Sequence, residues 1–337
     1  MAAGCIARIM WALGDLSQPG ECYESRRDLA LRCYFHVHHA GRRRGHAQDC
    51  HPAAWHLGFS EIGQKAGIFK KHGLDLDLLF TGAGAEVVGG IIGGSVDLSI
   101  ASGISTVIGG YGKGAPLRIF SSEMAGQPEI YWFVPANSPI KTLADMNGKT
   151  IGYSAAGSSS HAALLALLAQ EKINAKPTAL GGVTASITAG MSGQVDAAWS
   201  AMPYGLKDLE DGKIRIIARA AEVKVLQGRT VRVNMTSAST LATKKDQIDR
   251  YMAGYKEAID YMYSSPEALK MYAEIGGIPL SIAQKMQTLV PKASTNPDQI
   301  VGMDSIMAEA VATRFLSAPL TKEQVSELVQ MKNPPKP

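Results

Sequence analysis

Two distant stretches of this chain share one pattern. Residues 92–102 read "IGGSVDLSIAS" and residues 191–201 read "MSGQVDAAWSA", so that Gly94, Val96 and Asp97 correspond to Gly193, Val195 and Asp196. In each, a helix ends at glycine, a Val-Asp turn follows, and a strand finishes at small polar residues. Each copy is preceded by a strand, a Gly/Thr turn and a helix. Strands that alternate with helical runs imply βαβ units and a mostly parallel sheet. Two copies imply two α/β lobes of similar build.

The rest of the body fits that frame. "GIFKKHGLDLDLLFT" holds a helix end at His72-Gly73 and then an alternating strand. "PLRIFSSE" and "IYWFVPA" are two more strand-like runs. After "LQGRTVRVNMTSAS" the chain turns helical. Ile248, Tyr251, Met252, Tyr255, Ile259 and Met262 fall on one helix face. Ser265 is placed as an N-cap ahead of Pro266, and "TKEQ" from Thr321 is a capping box. This helical set is expected to pack back onto the first lobe, its aromatics and methionines serving as core.

The first 55 residues have a different composition. All four cysteines lie within them, and Arg42, Arg43 and Arg44 form the one basic run. With a formal charge of +4 and no basic stripe in the body, nucleic acid is not an expected partner. No apolar run approaches the ~20 residues that cross a bilayer. Cys33, His36, His38, His39, Cys50 and His51 lack the paired short spacings of a zinc site, so no metal is expected. "MAAGCIARIMWALG" does not read as a secretory signal. Residues 1–55 are therefore expected to lie outside the fold.

Several motifs fail on inspection. "GAGAE" lacks the third glycine and the acidic ribose ligand of a dinucleotide loop, and "NGKT" enters a strand rather than a helix. "SPIK" has no partner motifs, and no G-x-S-x-G elbow occurs. The body holds only His72 and His161, too little for a Ser-His-Asp arrangement, and no enzymatic chemistry or cofactor is indicated. "YSAAGSSSH" is different. Gly157 permits a tight approach, and Ser158, Ser159 and Ser160 open a long apolar helix directly after a strand. The first amides of a helix lack internal partners and favour a negative ligand group. One serine would suffice as a cap. Three behind a glycine, beyond a strand's carboxyl end, point to an anion site. Ser102-Gly103 and Ser121-Ser122-Glu123 are polar strand ends that could face it or simply be turns.

In order and spacing these segments resemble the solute-binding proteins of ABC importers, in the NMT1-like group that handles nitrate, sulfonates, taurine and thiamine precursors. The similarity runs from Phe59 to the C-terminus. "GQKAGIFKKHGLDLDL" looks like the group's early segment and "GGSVDLSIAS" like the segment before its first ligand loop. "YSAAGSSSH" resembles the second-lobe loop that holds the ligand's anionic head, and "GQVDAAWSAMPY" the later segment carrying Trp199 and Pro203. The resemblance implies a two-lobe, type II periplasmic-binding-protein-like α/β fold with the ligand in the interlobe cleft. Lobe I would be 56–142 plus 240–337 and lobe II 143–239, with crossings at 137–149 and 234–243. "HPAAWHLGF" would supply the first strand.

It further implies capture of a small organic anion or zwitterion, of sulfonate, taurine or nitrate type, without a cofactor. The protein would be periplasmic and monomeric and would partner an ABC permease and ATPase. Ser60, Glu61, Ser102, Gly103, Ser121, Glu123, Gly157, Ser158, Ser159, Trp199 and Asn234 would line the site. Trp199 is read as an apolar wall or a core residue, and Asn234 as a hinge or strand-end residue. Glu123 would suit an ammonium group, unless it points to solvent. No arginine occurs in these loops, which argues against a bare oxyanion held by ion pairs. Other uses of the same scaffold are a thiamine-pyrimidine-synthase-like enzyme or a ligand-sensing module.

Overall fold

A computed structural model describes residues 4–8, 55–81 and 84–332. Lobe I begins with β1 (Gly4–Arg8), α1 (Trp55–Lys65), the short α2 (Ile68–Lys71), β2 (Asp77–Thr81), α3 (Gly84–Ile92), β3 (Leu98–Gly103), α4 (Ile104–Gly112) and β4 (Leu117–Ala125). Lobe II contains β5 (Ile130–Pro135), β6 (Thr150–Tyr153), α5 (Ser159–Glu171), β7 (Lys176–Ala179), α6 (Val183–Met191), β8 (Ala198–Ala201), α7 (Leu206–Glu210) and β9 (Ile214–Arg219). The chain returns to lobe I with β10 (Thr230–Ser237). It ends in α8 (Ala238–Thr243), α9 (Lys245–Ser264), α10 (Pro266–Gly276), α11 (Leu280–Leu289), α12 (Met303–Ala312) and α13 (Lys322–Leu328).

The two sheets have the same plan. Lobe I is ordered β2-β1-β3-β10-β4. In lobe II, β6 pairs with β7 and is bridged at Ile151–Ala197 to the start of β8, which continues through β5 to β9. In each lobe the fourth place is held by the strand that has just arrived from the other lobe, β10 or β5. Both run antiparallel to their two neighbours. The echoed aspartates do matching work. Asp97 pairs with Lys244 at 2.6 Å. Asp196 accepts from the backbone N–H and hydroxyl of Thr150 at 2.8 and 2.7 Å. Those bonds hold its carboxyl below the usual carboxylate range.

Three sequence expectations are corrected. The crossings lie at 126–129 and 220–229, not at 137–149 and 234–243, because "IYWFVP" pairs with β8 and β9 while "TVRVNMTS" pairs with β3 and β4. Lobe II is thus about one strand earlier at both ends than 143–239. The sheets are also less parallel than expected, since every pairing between the described lobe I strands is antiparallel, the isolated Ile119–Val329 bridge being parallel. Finally, "HPAAWHLGF" supplies no strand. Trp55, Phe59 and Ile62 recur at helical spacing and are fully buried in α1, where they meet α9 and α10.

The place between β2 and β3 is filled instead by Gly4–Arg8, a part of the 1–55 segment expected outside the fold. A vacant place there would leave two rows of strand N–H and C=O groups unpaired. β1 runs antiparallel to both neighbours, whereas its lobe II counterpart β6 runs parallel to its own. Cys33, His36, His38, His39, Cys50 and His51 lie outside the described residues.

The C-terminal caps form as expected. Ser265 accepts from the Glu267 N–H, and Thr321 and Gln324 close a capping box. α9 buries Ile248, Tyr251, Tyr255, Ile259 and Met262 against α1. A second cluster under α4, α12 and α13 buries the other face of the lobe I sheet through Ile119, Val233 and Met235.

Candidate functional site

The serine turn sits where the two lobes meet. Ser158 is the N-cap of α5, its hydroxyl accepting from the His161 N–H at 3.2 Å. Ser160 accepts from the Ser154 N–H at 3.0 Å, and the hydroxyls of Ser154, Ser158 and Ser160 lie within 3.0 Å of one another. Two of the three serines are therefore spent on holding the turn. Ser159 is the one whose hydroxyl faces across, accepting from Arg232 Nη2 of lobe I at 3.3 Å. Among the described hydrogen bonds, none uses the amide N–H of Ser159 or Ser160. Those amides and the dipole of the 13-residue α5 give the turn its positive character.

Lobe I covers this turn rather than leaving it open. Thr106 donates to the Gly157 carbonyl at 3.0 Å. A side chain on Gly103 would begin 3.0 Å from that same oxygen. Gly157 has φ +78° and faces the Phe315 ring, which a Cβ would meet at 2.7 Å. Glycine is required there on both counts. Ser158, Ser159 and Ser160 are at most 5% exposed.

Behind the turn lies a buried group of charges. Arg232 donates through Nη2 to Glu129 at 2.6 Å, and both side chains are within 4% of full burial. Glu129 lies in the first crossing and Arg232 on β10 just after the second. One guanidinium thus ties lobe I, the crossing and lobe II together. Glu123, near the end of β4, is fully buried and neither carboxylate oxygen has a hydrogen-bond partner. Burial pushes its carboxyl up from 4.5 to about 8; Arg232 pulls it down and Glu129 pushes it up. Gln127 is equally buried and unpartnered at both amide atoms.

The strand that carries Arg232 is irregular for a reason. β10 shifts register against β4 at three points between Thr230 and Met235, and against β3 between Val233 and Met235. Such bulges re-aim side chains beside binding sites. Asn234 accepts from the Ala101 N–H at 3.0 Å and donates to Ser121 at 3.4 Å. Ala101 has φ +60°, a conformation that an L-residue keeps only when its surroundings hold it.

The remaining expected residues occupy separate positions. Ser102 is the penultimate residue of β3 and bonds Ser99 at 2.7 Å, and Ser121 donates to the Pro297 carbonyl at 3.1 Å. Ser60 and Glu61 lie on α1, Ser60 sharing a 2.8 Å hydrogen bond with Tyr251. Trp199 stands opposite Trp132 in the lobe II sheet, 3% exposed, its indole N–H without a partner. His161 lies against the Tyr153 ring, tilted by 31° with centroids 4.3 Å apart, and accepts from the Gly157 N–H at 3.3 Å, and burial holds its pKa down. Arg232, Glu129 and Gln127 were not among the expected residues. Their signal was a cation inside the apolar run "TVRVNMTS" and polar groups just before "IYWFVP". The expected ligand loops hold no arginine, but Arg232 reaches the turn from strand β10.

A family model described as "NMT1/THI5 like" matches residues 58–269. No curated protein matches the sequence. Among solved structures, the alkanesulfonate-binding protein SsuA from Xanthomonas axonopodis pv. citri, bound to MOPS, superposes with a TM-score of 0.68 at 20% identity, covering 83% of this chain and 96% of that one. The periplasmic aliphatic sulphonate binding protein SsuA from Escherichia coli gives 0.64 at 22%, covering 79% and 88%. A Candida albicans protein with the generic periplasmic binding protein fold gives 0.64 at 15%, covering 82% and 94%. These likenesses establish the two-lobe periplasmic-binding-protein fold. The family match spans more than half of the chain and the motifs fall inside it in the expected order, so this chain belongs to the NMT1/THI5-like family.

Proposed function

We propose that the chain is a solute-binding protein that captures a small organic anion or zwitterion between its lobes. It would work in the periplasm and deliver the solute to an ABC permease and ATPase. The observation that carries this reading is the junction at Ser159, where one buried arginine of lobe I meets the amide end of α5 in lobe II. A negative group placed there would accept from the Ser159 and Ser160 amides and from Arg232. Hydrogen bonds to charged groups are worth roughly 1.5–3 kcal/mol each, more than neutral ones. Because the partners come from both lobes, such a ligand would favour the closed arrangement by hinge motion. The binding proteins among the structural neighbours, described as taking alkanesulfonates, support an anion of that class.

The test is a thermal-shift screen of the full chain against alkanesulfonates, nitrate, aromatic acids and pyrimidines. A ligand that binds only the folded form at a hundred times its Kd adds about 2.7 kcal/mol. At least one small anion is expected to raise the melting temperature, and Arg232→Ala is expected to abolish that shift. If every anion leaves the melting temperature unchanged, the reading is wrong.

A further inference from the structure

We propose that a cleft within lobe I is a second binding site, which takes a soluble phosphate monoester with an apolar body. The site is separate from the junction at Ser159 and does not depend on the solute-binding reading above.

The cleft has a volume of about 960 Å³ and lies between the end of α4, the start of β4, the segment after α12 and helix α13. Small-molecule sites run to roughly 300–1,000 Å³. The chain builds the cleft step by step. α12 stops at Thr313, and Arg314 turns the backbone with φ +61°. The N–H groups of Phe315 and Leu316 both return to the Ala310 carbonyl, at 2.8 and 3.0 Å. Both side chains then pack down on α4, where Gly109 and Gly112 leave them room. A Cβ on Gly109 would begin 3.1 Å from the Phe315 ring, and one on Gly112 would collide with Leu316. The chain passes Pro319 before Thr321 caps α13. Every lining residue belongs to lobe I, so the cleft does not need the lobes to close.

Its charge is unbalanced. Lys113, Arg118 and Arg314 line it against a single acid, Glu327. Glu327 pairs with Arg118 and accepts from the Tyr111 hydroxyl at 2.7 Å. Arg118 also donates through Nη1 to the Leu117 carbonyl at 2.8 Å, which fixes its guanidinium. Lys113 and Arg314 are exposed, and among the described residues neither makes an ion pair or a side-chain hydrogen bond. Two unmatched cations on one cleft are complementary to a dianion. A phosphate monoester carries a charge of about −1.5 to −2 at pH 7 on three acceptor oxygens, which guanidinium and ammonium groups hold well. Position 314 adds a separate sign. A left-handed residue after a helix is usually glycine, yet the chain keeps an arginine there. Strain of that kind is found at ligand clamps. Val311, Phe315, Pro319 and Leu320 supply an apolar wall for the rest of the ligand.

Isothermal titration calorimetry of the full chain tests this, with phenyl phosphate, inorganic phosphate and phenol as probes. Phenyl phosphate is expected to bind wild type, and inorganic phosphate to bind about ten-fold more weakly for want of the apolar contact. Phenol is expected not to bind. Lys113→Ala and Arg314→Gly should each weaken phenyl phosphate by about ten-fold, the scale of one charged hydrogen bond. Arg314→Gly should melt at or above wild type, because glycine accepts the left-handed turn, so its loss of binding cannot be a loss of fold. An anion found by the thermal-shift screen should bind both variants as it binds wild type. Phenyl phosphate that fails to bind wild type, or that binds Arg314→Gly and Lys113→Ala undiminished, overturns the inference and leaves the interlobe reading standing. Inorganic phosphate or phenol binding as tightly as phenyl phosphate overturns the ligand class. Phosphatidylcholine vesicles carrying phosphatidic acid present the same head group on a lipid, and sedimentation of the chain with them in place of phenyl phosphate binding overturns the soluble source.

Discussion

Ser158 and Ser159 are adjacent and chemically alike, yet they do different work. Ser158 caps α5 through the His161 N–H, whereas the Ser159 hydroxyl meets Arg232 across the lobe boundary. Ser158→Ala should cost about 1 kcal/mol of stability, the usual price of an N-cap, and lower the melting temperature by a few degrees. Ser159→Ala should leave melting close to wild type and weaken anion binding instead. Equal melting losses in both variants, read by calorimetry, would erase the distinction. Glu123 makes a second prediction at this scale. Its folded pKa is raised from 4.5 to about 8, so the folded form holds a proton that the unfolded form releases between those values. Stability should then fall as pH rises from about 4.5 to about 8 and level off above. Arg232, Glu129 and Tyr263 are the charged or titratable groups that act on it or feel its charge. Urea unfolding across that range should show the decline in wild type and a flatter curve in Glu123→Gln.

β10 shows where a sequence can be read and where it cannot. "TVRVNMTS" was legible as a strand from its apolar run, and α9, α10 and α13 were legible from spacing and caps, because those signals are local. The sheet to which "TVRVNMTS" or "IYWFVP" belongs depends on the partner it finds, and nothing inside either run states it. The crossings were displaced for that reason. The same limit hid the charges: the site was sought in loops, but Arg232 enters through a strand whose bulges turn it toward Ser159. "GCIAR" is too short to announce itself as β1, and it is needed only because α1 takes the residues that could have filled the place. Asn234, expected as a hinge or strand-end residue, holds the left-handed Ala101 by its N–H. Asn234→Ala should strand that buried donor at a cost of about 1–3 kcal/mol. The urea midpoint should fall with its slope unchanged, and a midpoint equal to wild type would mean that the strained turn holds itself.

At the scale of the molecule, the two lobes repeat one sheet plan and exchange one strand each, so the proposed hinge motion would act through the crossings at 126–129 and 220–229. Contacts across the lobe boundary include Thr106 on the Gly157 carbonyl, Arg232 on Ser159, the Phe315 ring against Gly157 and the Lys285–Glu210 ion pair between α11 and α7. Phe315 is the apolar member of that set, and it comes from the segment after α12 that also touches α4 at Gly109. Burying an aromatic ring contributes on the order of 1–3 kcal/mol, and a shift of ~1.4 kcal/mol changes a two-state population ten-fold. Phe315→Ala should therefore raise the fraction of open molecules without disturbing the ligand's polar contacts. Small-angle scattering of the variant without ligand should show a larger radius of gyration than wild type, and saturating ligand should bring it back to the wild-type value. Affinity should fall by about the same ten-fold factor, since binding must first repay the lost closure. A variant with unchanged radius but weakened affinity would mean that Phe315 supports the turn and not the closed state.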